Sequence, residues 1–405
     1  APTFGKAWTY ASLKASYSLT ADRGPATNSL AVFTSFTPWR PSTPAFESGI
    51  TLEALENSEL TYEKKHELNI GVAFGFVDNR INVEFDWYRR NNFDLIGFTQ
   101  TMGVGGVTTK LANDATMQST GCEFTISTTN IKTKDFKWTT DWIFGWAENT
   151  ITKLDSRSQV YELVNGFGRT EGRPIGALYS IPFAGLTEEG LPTFYIDGEH
   201  TQSAGPDNYD AIYFQEYENV DYLKYEGSID PTITGSFGNT FSWKGLKLNV
   251  FFTYSFGNVL RLDDLCPVYS SDYSDLTASM KEMKNRWMVP GDEQLTTIPS
   301  IPTVRQMREI NALNNAYSAY NYSTERVAKG DFIRLKELSL AYDLPKKVFE
   351  GQKAVSSFGV KLSATNIWLA YADKKLNGRD PEYYNSGGVS SPVPRQFTLT
   401  VKLGF

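Results

Sequence analysis

Residues 395–405 read RQFTLTVKLGF. Phe397, Leu399, Val401, Leu403 and Phe405 share one parity, while Thr398, Thr400, Lys402 and Gly404 take the other. Side chains of a strand alternate between its two faces, so this stretch is a strand that meets two different environments. Termini are usually polar and frayed. A last strand that stays apolar to its final aromatic residue needs a lasting partner for that face.

The same pattern recurs along the chain. Ala11, Leu13, Ala15, Tyr17 and Leu19 alternate with Ser12, Lys14, Ser16 and Ser18. Leu68 to Phe76 and Ile81 to Trp87 repeat it, and Phe136, Trp138, Trp142, Phe144 and Trp146 share one parity. So do Leu246 to Phe256, Leu338 to Leu344 and Phe358 to Ala364. Short links join these runs in pairs: FVDNRI at 76–81, NIKTKDF at 130–136 and SWKGLKL at 242–248, with a looser one at 344–358. Asp, Asn and Gly supply the backbone freedom such turns need. The other connections, at 20–60, about 150–230, about 258–328 and about 371–393, are long and rich in Pro, Gly, Asn, Asp and Tyr. Loops of that length are usually functional.

Short turns alternating with long loops is the asymmetry of an outer-membrane barrel. The runs extend over about 10–16 residues, where soluble strands typically hold about 5–6. Their second face is small or polar, as at Asn69, Gly71, Glu84 and Asp86. The expected fold class is therefore all-β: a transmembrane antiparallel barrel whose apolar face meets lipid and whose polar face lines a wet lumen. Composition agrees. Aromatics make up 14% of 405 residues, whereas 21% charged residues exclude a bundle of membrane helices. No window holds the roughly 18 unbroken apolar residues of a spanning helix. A net charge of -7 argues against nucleic acid.

Nothing in the sequence spells catalysis, a metal or a cofactor. Cys122 and Cys266 lie far apart and could pair or stay free, and His66 and His200 are too scattered for a cluster. DGEH at 197–200 reads as a solvated loop. The carboxylates Asp263, Asp264, Asp272 and Asp275 lack calcium-loop spacing. GVGGVTT at 103–109 lacks a dinucleotide fingerprint and reads as a loop tip. One loop helix is expected over 274–289, where Leu276, Met280, Met283 and Trp287 form an apolar stripe, Ser274 is the N-cap, and Pro290-Gly291 ends it.

Several stretches together resemble one family. NRWMVPGDEQLTTIP (Asn285 to Pro299) is similar to a segment of SusC/RagA-type TonB-dependent transporters of Bacteroidetes. So are GDFIRLKELSLAYDLP (Gly330 to Pro345) and SATNIWLAYADKKLNGRDPEYY, with Asn366 and the Asp380-Pro381-Glu382 triplet. YEKKHELNIGVAFGFVDNRINVEFDWYRRNNFDLI, MQSTGCEFTI and GRPIGALYSIPFAGLTEEGLPTF follow in family order. The resemblance covers essentially the whole chain. It implies a portion of a plugged barrel of 22 strands in the bacterial outer membrane, importing oligosaccharides or oligopeptides. The implied partners are a SusD-like surface lipoprotein that caps the barrel and the TonB complex, with a dimer of transporter–lipoprotein pairs as the larger assembly.

Residues 1–405 show no plug and no TonB box, no initiator Met and no signal peptide, and the chain enters a strand almost at once. The expectation is the C-terminal part of a barrel, about 11–14 strands, with a native C-terminus and the plug and TonB box outside this chain. The terminal residues Phe397, Leu399, Val401, Leu403 and Phe405 are implied to act as the barrel-assembly signal.

The loop aromatics Tyr209, Tyr213, Tyr217, Tyr222, Tyr317, Tyr320, Tyr383 and Tyr384 are the candidate contacts for substrate or lid, because an aromatic ring buries area and a phenol offers a hydroxyl. They compete with an interfacial girdle and with loops packing on one another. Two other architectures remain open. A complete small porin or adhesin barrel without a plug would pair the strand near Ala11–Thr20 with Phe397–Phe405, because an open edge is not viable in lipid. A secreted β-rich glycan-binding or hydrolytic protein would need paired carboxylates across a cleft.

Overall fold

The computed structural model describes residues 7–23, 30–37, 48–103, 106–265, 281–345, 348, 355–384, 392 and 394–404. Strand β1 (Trp8–Asp22) is followed by a small ribbon, β2 (Val32–Phe36) and β3 (Gly49–Ala54). Then come β4 (Glu63–Phe76), β5 (Ile81–Gln100), β6 (Thr109–Lys132) and β7 (Phe136–Leu154). Helix α1 (Val160–Val164) opens a region of short strands: β8 (Ala177–Ser180), β9 (Phe183–Leu186), β10 (Pro192–Tyr195), β11 (Ser203–Ala204) and β12 (Lys224–Ser228). Long strands resume with β13 (Ile233–Trp243) and β14 (Leu246–Phe256). A second region holds β15 (Val259–Arg261), α2 (Val304–Glu309), α3 (Leu313–Asn321) and β16 (Val327–Lys329). The chain ends with β17 (Phe332–Asp343), β18 (Ser357–Ala372) and β19 (Gln396–Gly404).

Ten strands form one sheet in the order β1-β4-β5-β6-β7-β13-β14-β17-β18-β19, each antiparallel to its neighbours. The turns that the sequence marks are where expected. Val77, Asp78 and Asn79 hold φ of 51–61° between β4 and β5. Lys244 and Gly245, at 45° and 92°, make the two-residue link between β13 and β14. Most of the looser link at 344–358 lies outside the described residues. The registers set like against like. Trp138 sits between Ile131 and Phe241, and that row continues through Leu248, Leu340, Leu362 and Leu399. A second row runs Phe144, Phe124, Phe85, Val72 and Leu13.

This apolar face is uncovered. Leu13 is 74% exposed, Phe397 73% and Leu399 67%. A continuous apolar surface across ten strands is far larger than water tolerates on a monomer, and lipid is the solvent that suits it. No helix among the described residues is long and apolar enough to cross a membrane, so spanning falls to the strands. The opposite face carries Lys14, Gly71, Asp86 and Glu123 in one row and Asn249, Ser339, Ser363 and Thr398 in another.

The longest connections leave the sheet at one end, together with the 101–108 link, and the tightest turns lie at the other, together with the 344–356 link. Among the described residues the two strands at the sheet's edges, β1 and β19, each pair on one side and not with each other. The small barrel closed by this chain alone is thereby excluded. The main sheet has ten strands among the described residues, below the 11–14 expected, because segments within the long connections form separate ribbons instead. Strand lengths run from 9 to 24 residues, so β5, β6 and β7 exceed the expected range, the excess lying at the long-loop end.

Candidate functional site

The long loops are not loose. Residues 155–232, 257–265 and 281–331 fold on each other at the long-loop end into one cap with its own hydrophobic core, including Val160, Leu163, Ile181, Leu191, Phe194, Leu313 and Ala316. The cap holds most of the fully buried large side chains among the described residues. The sheet below buries few large side chains because its apolar face is turned outward.

Four of the eight sequence candidates belong to this core. Tyr209 is 1% exposed, and its hydroxyl donates to the Pro192 carbonyl at 2.7 Å. Tyr317 donates to the Ser300 carbonyl at 2.7 Å, and Tyr320 packs edge-on to Phe183. Tyr222 is also buried. Burial pushes its phenol up to about 12, with the Glu216 carboxylate adding to the effect, and raises Tyr209 further still. These four rings are buried in the core that holds the two loops together. Local composition could not signal that burial, because the carbonyls that satisfy Tyr209 and Tyr317 lie 17 residues away in each case.

The other four differ. Tyr213 and Tyr217 are exposed, at 55% and 43%. Strand-like bonds bring α1 alongside them: Val160 N–H donates to Glu216 O and Tyr161 N–H to Phe214 O, both at 2.8 Å. Tyr161 and Phe167 are exposed as well, so this corner of the cap carries an aromatic patch. Sequence reasoning missed Tyr161 and Phe167, although both stand in a Gly- and Asn-rich stretch. Tyr383 is half-buried, and burial raises its phenol. Tyr384 serves as a joint: its hydroxyl accepts from Asp263 N–H at 3.1 Å and from the Arg379 guanidinium at 3.2 Å.

Buried charge ties segments of the cap to one another and the β18–β19 connection to the sheet. Arg261 on β15 donates to the carbonyls of Ser323 at 2.9 Å and Val164 at 3.2 Å, and to that of Tyr179. Burial pulls its guanidinium down to about 10, so it stays charged at neutral pH. Arg326 pairs with Glu282 at 2.6 Å, and Arg334 on β17 pairs with Asp380 of the Asp-Pro-Glu triplet. A buried guanidinium is tolerable when acceptors meet most of its donors, and only the Nε of Arg261, Arg326 and Arg334 lacks one among the described residues. Here those acceptors come from different loops.

Motif residues from the sequence prove architectural. The region expected as a helix over 274–289 is a 3-10 turn at Lys281–Asn285 where it is described, and Ser274, Leu276 and Met280 lie outside the described residues. Met283 is buried in the cap core. Trp287 lies against Gly190, where a Cβ would come within 2.3 Å of its ring, and φ there is 76°. Asp197 caps Thr201 and Gln202, and those hydrogen bonds, the Thr201 side chain first, lower its carboxyl, as suits a solvated turn. Cys122 is a free thiol, and Cys266 lies outside the described residues.

The sheet's polar face is the candidate channel wall. One hollow of about 460 Å³ is lined by Lys14, Asn69, Asp86, Tyr88, Arg90 and Glu123. Arg90 stacks over Tyr88 and pairs with Glu67 at 3.1 Å. A second, of about 400 Å³, has Lys247, Lys361, Lys402, Glu337 and Asp343. Among the described residues no group of His, Cys, Asp and Glu is placed to hold a metal ion.

Phe397, Leu399, Val401 and Leu403 stand on the outward face of β19, and Phe405 lies outside the described residues.

Comparison with known proteins fits this architecture. No family model matches the chain. TonB-dependent receptor P3 of Formosa agariphila is 26% identical over 385 residues, covering 88% of this chain and 36% of the receptor. TonB-dependent receptor SusC of Bacteroides thetaiotaomicron is 34% identical over 99 residues, or 24% of this chain and 10% of SusC. Among solved structures, the RagAB peptide transporter superposes over 99% of this chain and 41% of its own, with a TM-score of 0.73 at 24% identity. The chain spans about a third of the length of the curated relatives that match it over most of its sequence.

Proposed function

This chain belongs to the SusC/RagA type of TonB-dependent transporters of the bacterial outer membrane, and on that premise we propose that it forms the C-terminal wall and outer cap of a nutrient importer. The carrying observation is the asymmetry of the sheet. Its apolar face and short turns suit a barrel wall, and two long loops join into one rigid cap above it. A channel that merely leaks needs no such cap.

In this reading the missing strands close the barrel against the open edges of β1 and β19, and a plug carrying the TonB box fills the lumen. Oligosaccharide or oligopeptide is captured outside, under a SusD-like lipoprotein that seats on the cap. The exposed rings Tyr213, Tyr217, Tyr161 and Phe167 offer flat apolar area to ligand or lid, and Tyr383 and Tyr384 brace the neighbouring loop. Substrate binding shifts the plug, and energy delivered through TonB releases the cargo through the lumen, whose wall is the polar face of the sheet. No covalent chemistry is involved, and the relatives are receptors and transporters by name. The terminal apolar row from Phe397 to Phe405 is the barrel-assembly signal.

The test is growth. A strain deleted for this protein should lose growth on one oligosaccharide or oligopeptide source, as should a strain lacking TonB. Normal growth of the deletion strain on every such source refutes the proposal.

A further inference from the structure

Away from the aromatic patch, the cap holds an open groove of about 520 Å³ whose lining includes Glu188, Glu189, Trp287, Pro290, Ile301 and Gln306. That volume lies in the range of small-ligand sites. Its walls are fixed. The turn carrying Glu188 and Glu189 closes through Gly190 N–H to Thr187 O at 2.9 Å, and Gly190 O accepts from Ser300 N–H at 2.9 Å. Trp287 N–H donates to Ile298 O at 2.9 Å. Thr303 and Gln306 form a reciprocal capping box at one rim.

The chemistry of the groove is one-sided. Among the described residues no Lys or Arg lines it. Neighbouring carboxylates are spent: Asp292 accepts from the Met288 and Val289 N–H groups, and Glu293 accepts from Gly291 N–H and the Trp287 indole. Glu309 pairs with Arg305. The carboxylates of Glu188 and Glu189 have no such partner among the described residues. Beside them the same segments expose aliphatic side chains, with Met288 at 60%, Val289 at 58% and Val304 at 59%. One face of the Trp287 ring is taken by Gly190, and its N–H is engaged, which leaves little for stacking and bonding a sugar ring.

We propose that this groove is a subsite for a cationic oligopeptide cargo. A Lys or Arg of the peptide meets Glu188 and Glu189, while adjacent aliphatic side chains lie on Trp287, Ile301 and the exposed rim. Two unpaired carboxylates favour an ammonium or guanidinium, and the aliphatic rim favours Leu, Ile or Val beside it. This rests on the importer reading and narrows its cargo.

The experiment uses the intact transporter in detergent and fluorescence polarisation with two labelled probes, Leu-Arg-Leu and Leu-Glu-Leu. Leu-Arg-Leu should bind and Leu-Glu-Leu should not. E188Q/E189Q should weaken Leu-Arg-Leu about fivefold or more, added salt should weaken it further in the native protein, and maltohexaose should not displace it. Unchanged affinity in the double variant, equal binding of both probes, no binding of either, or displacement by maltohexaose overturns the proposal. These substitutions are isosteric and exposed, so the fold is not at stake. The importer reading fails separately, through normal growth of the deletion strain.

Discussion

An arginine placed along β14 measures both which face meets lipid and how deep each residue lies. The strand Leu246–Phe256 has 11 residues. At about 3.3 Å per residue it runs about 33 Å, and a tilt of about 40° brings its rise to about 25 Å, the height of the apolar band of such barrels. Phe251 is therefore at the centre, and Val250 and Phe252 are the outward residues nearest the midplane. Val250 faces Leu338, and Phe252 sits between Phe237 and Leu335. V250R and F252R should each cost about 2–4 kcal/mol, whereas L246R and F256R at the interfaces should cost about 0–1 kcal/mol. The central cost is about 30- to 900-fold in the folding equilibrium. T253R projects from the polar face and should cost little. The assay is guanidinium unfolding of the intact transporter in phospholipid vesicles, followed by tryptophan fluorescence. A cost that ignores depth, or that is equal for F252R and T253R, refutes the assignment of faces.

The cap offers further tests, each read by limited proteolysis of its loops. Y317F removes the donor to Ser300 O and leaves a buried carbonyl unmet, so cap stability should fall by about 1–3 kcal/mol, and unchanged cleavage would contradict this. R261M should open the cap by about 3–5 kcal/mol, and R261K should not restore it, because one ammonium cannot span three carbonyls. G190A should separate the 187–191 turn from Trp287, at a cost above about 1 kcal/mol, since both space and φ oppose a Cβ. Alkali should loosen the cap through Tyr222. Its phenol is raised from 10.0 to about 12, so the folded state holds its proton longer than the unfolded one. The stabilisation is whole below pH 10 and is lost as pH rises through 12, amounting to about 2–3 kcal/mol. Y222F should flatten that slope in an alkaline titration, and an unaltered slope would exclude Tyr222 as its source.

The wall was legible because its signals are local. Period-two alternation from Leu246 to Phe256 fixes which side chains share a face, and Lys244-Gly245 is a turn by its own backbone chemistry. Hydrogen bonding between strands then follows from the order of the turns. The cap was not legible. Tyr209 and Tyr213 are four residues apart in the same aromatic stretch, yet one is sealed in the core and the other is exposed. What separates them is contact with segments up to about a hundred residues away, as when Asn315 donates to Ile212 O across the cap. The stripe at 276–287 had helical spacing, but the described part follows a 3-10 turn into Trp287, where packing on Gly190 prevails over local propensity. The lone alternation of β19 spoke for its environment and was silent about its neighbour: only the sheet order shows that it pairs with β18 and, among the described residues, with no second strand.

The cap's core draws on both sides of the β13–β14 hairpin. Val160 to Leu223 come before that hairpin and Leu265 to Tyr320 after it, and neither set buries itself without the other. A hairpin with a two-residue turn holds the roots of the two loops a fixed distance apart, and a slip of one residue between β13 and β14 would turn a whole face inside out. The cap can therefore close only when both loops have reached the same side of the membrane with the hairpin between them in register. Its closure thus depends on the register of the wall beneath it.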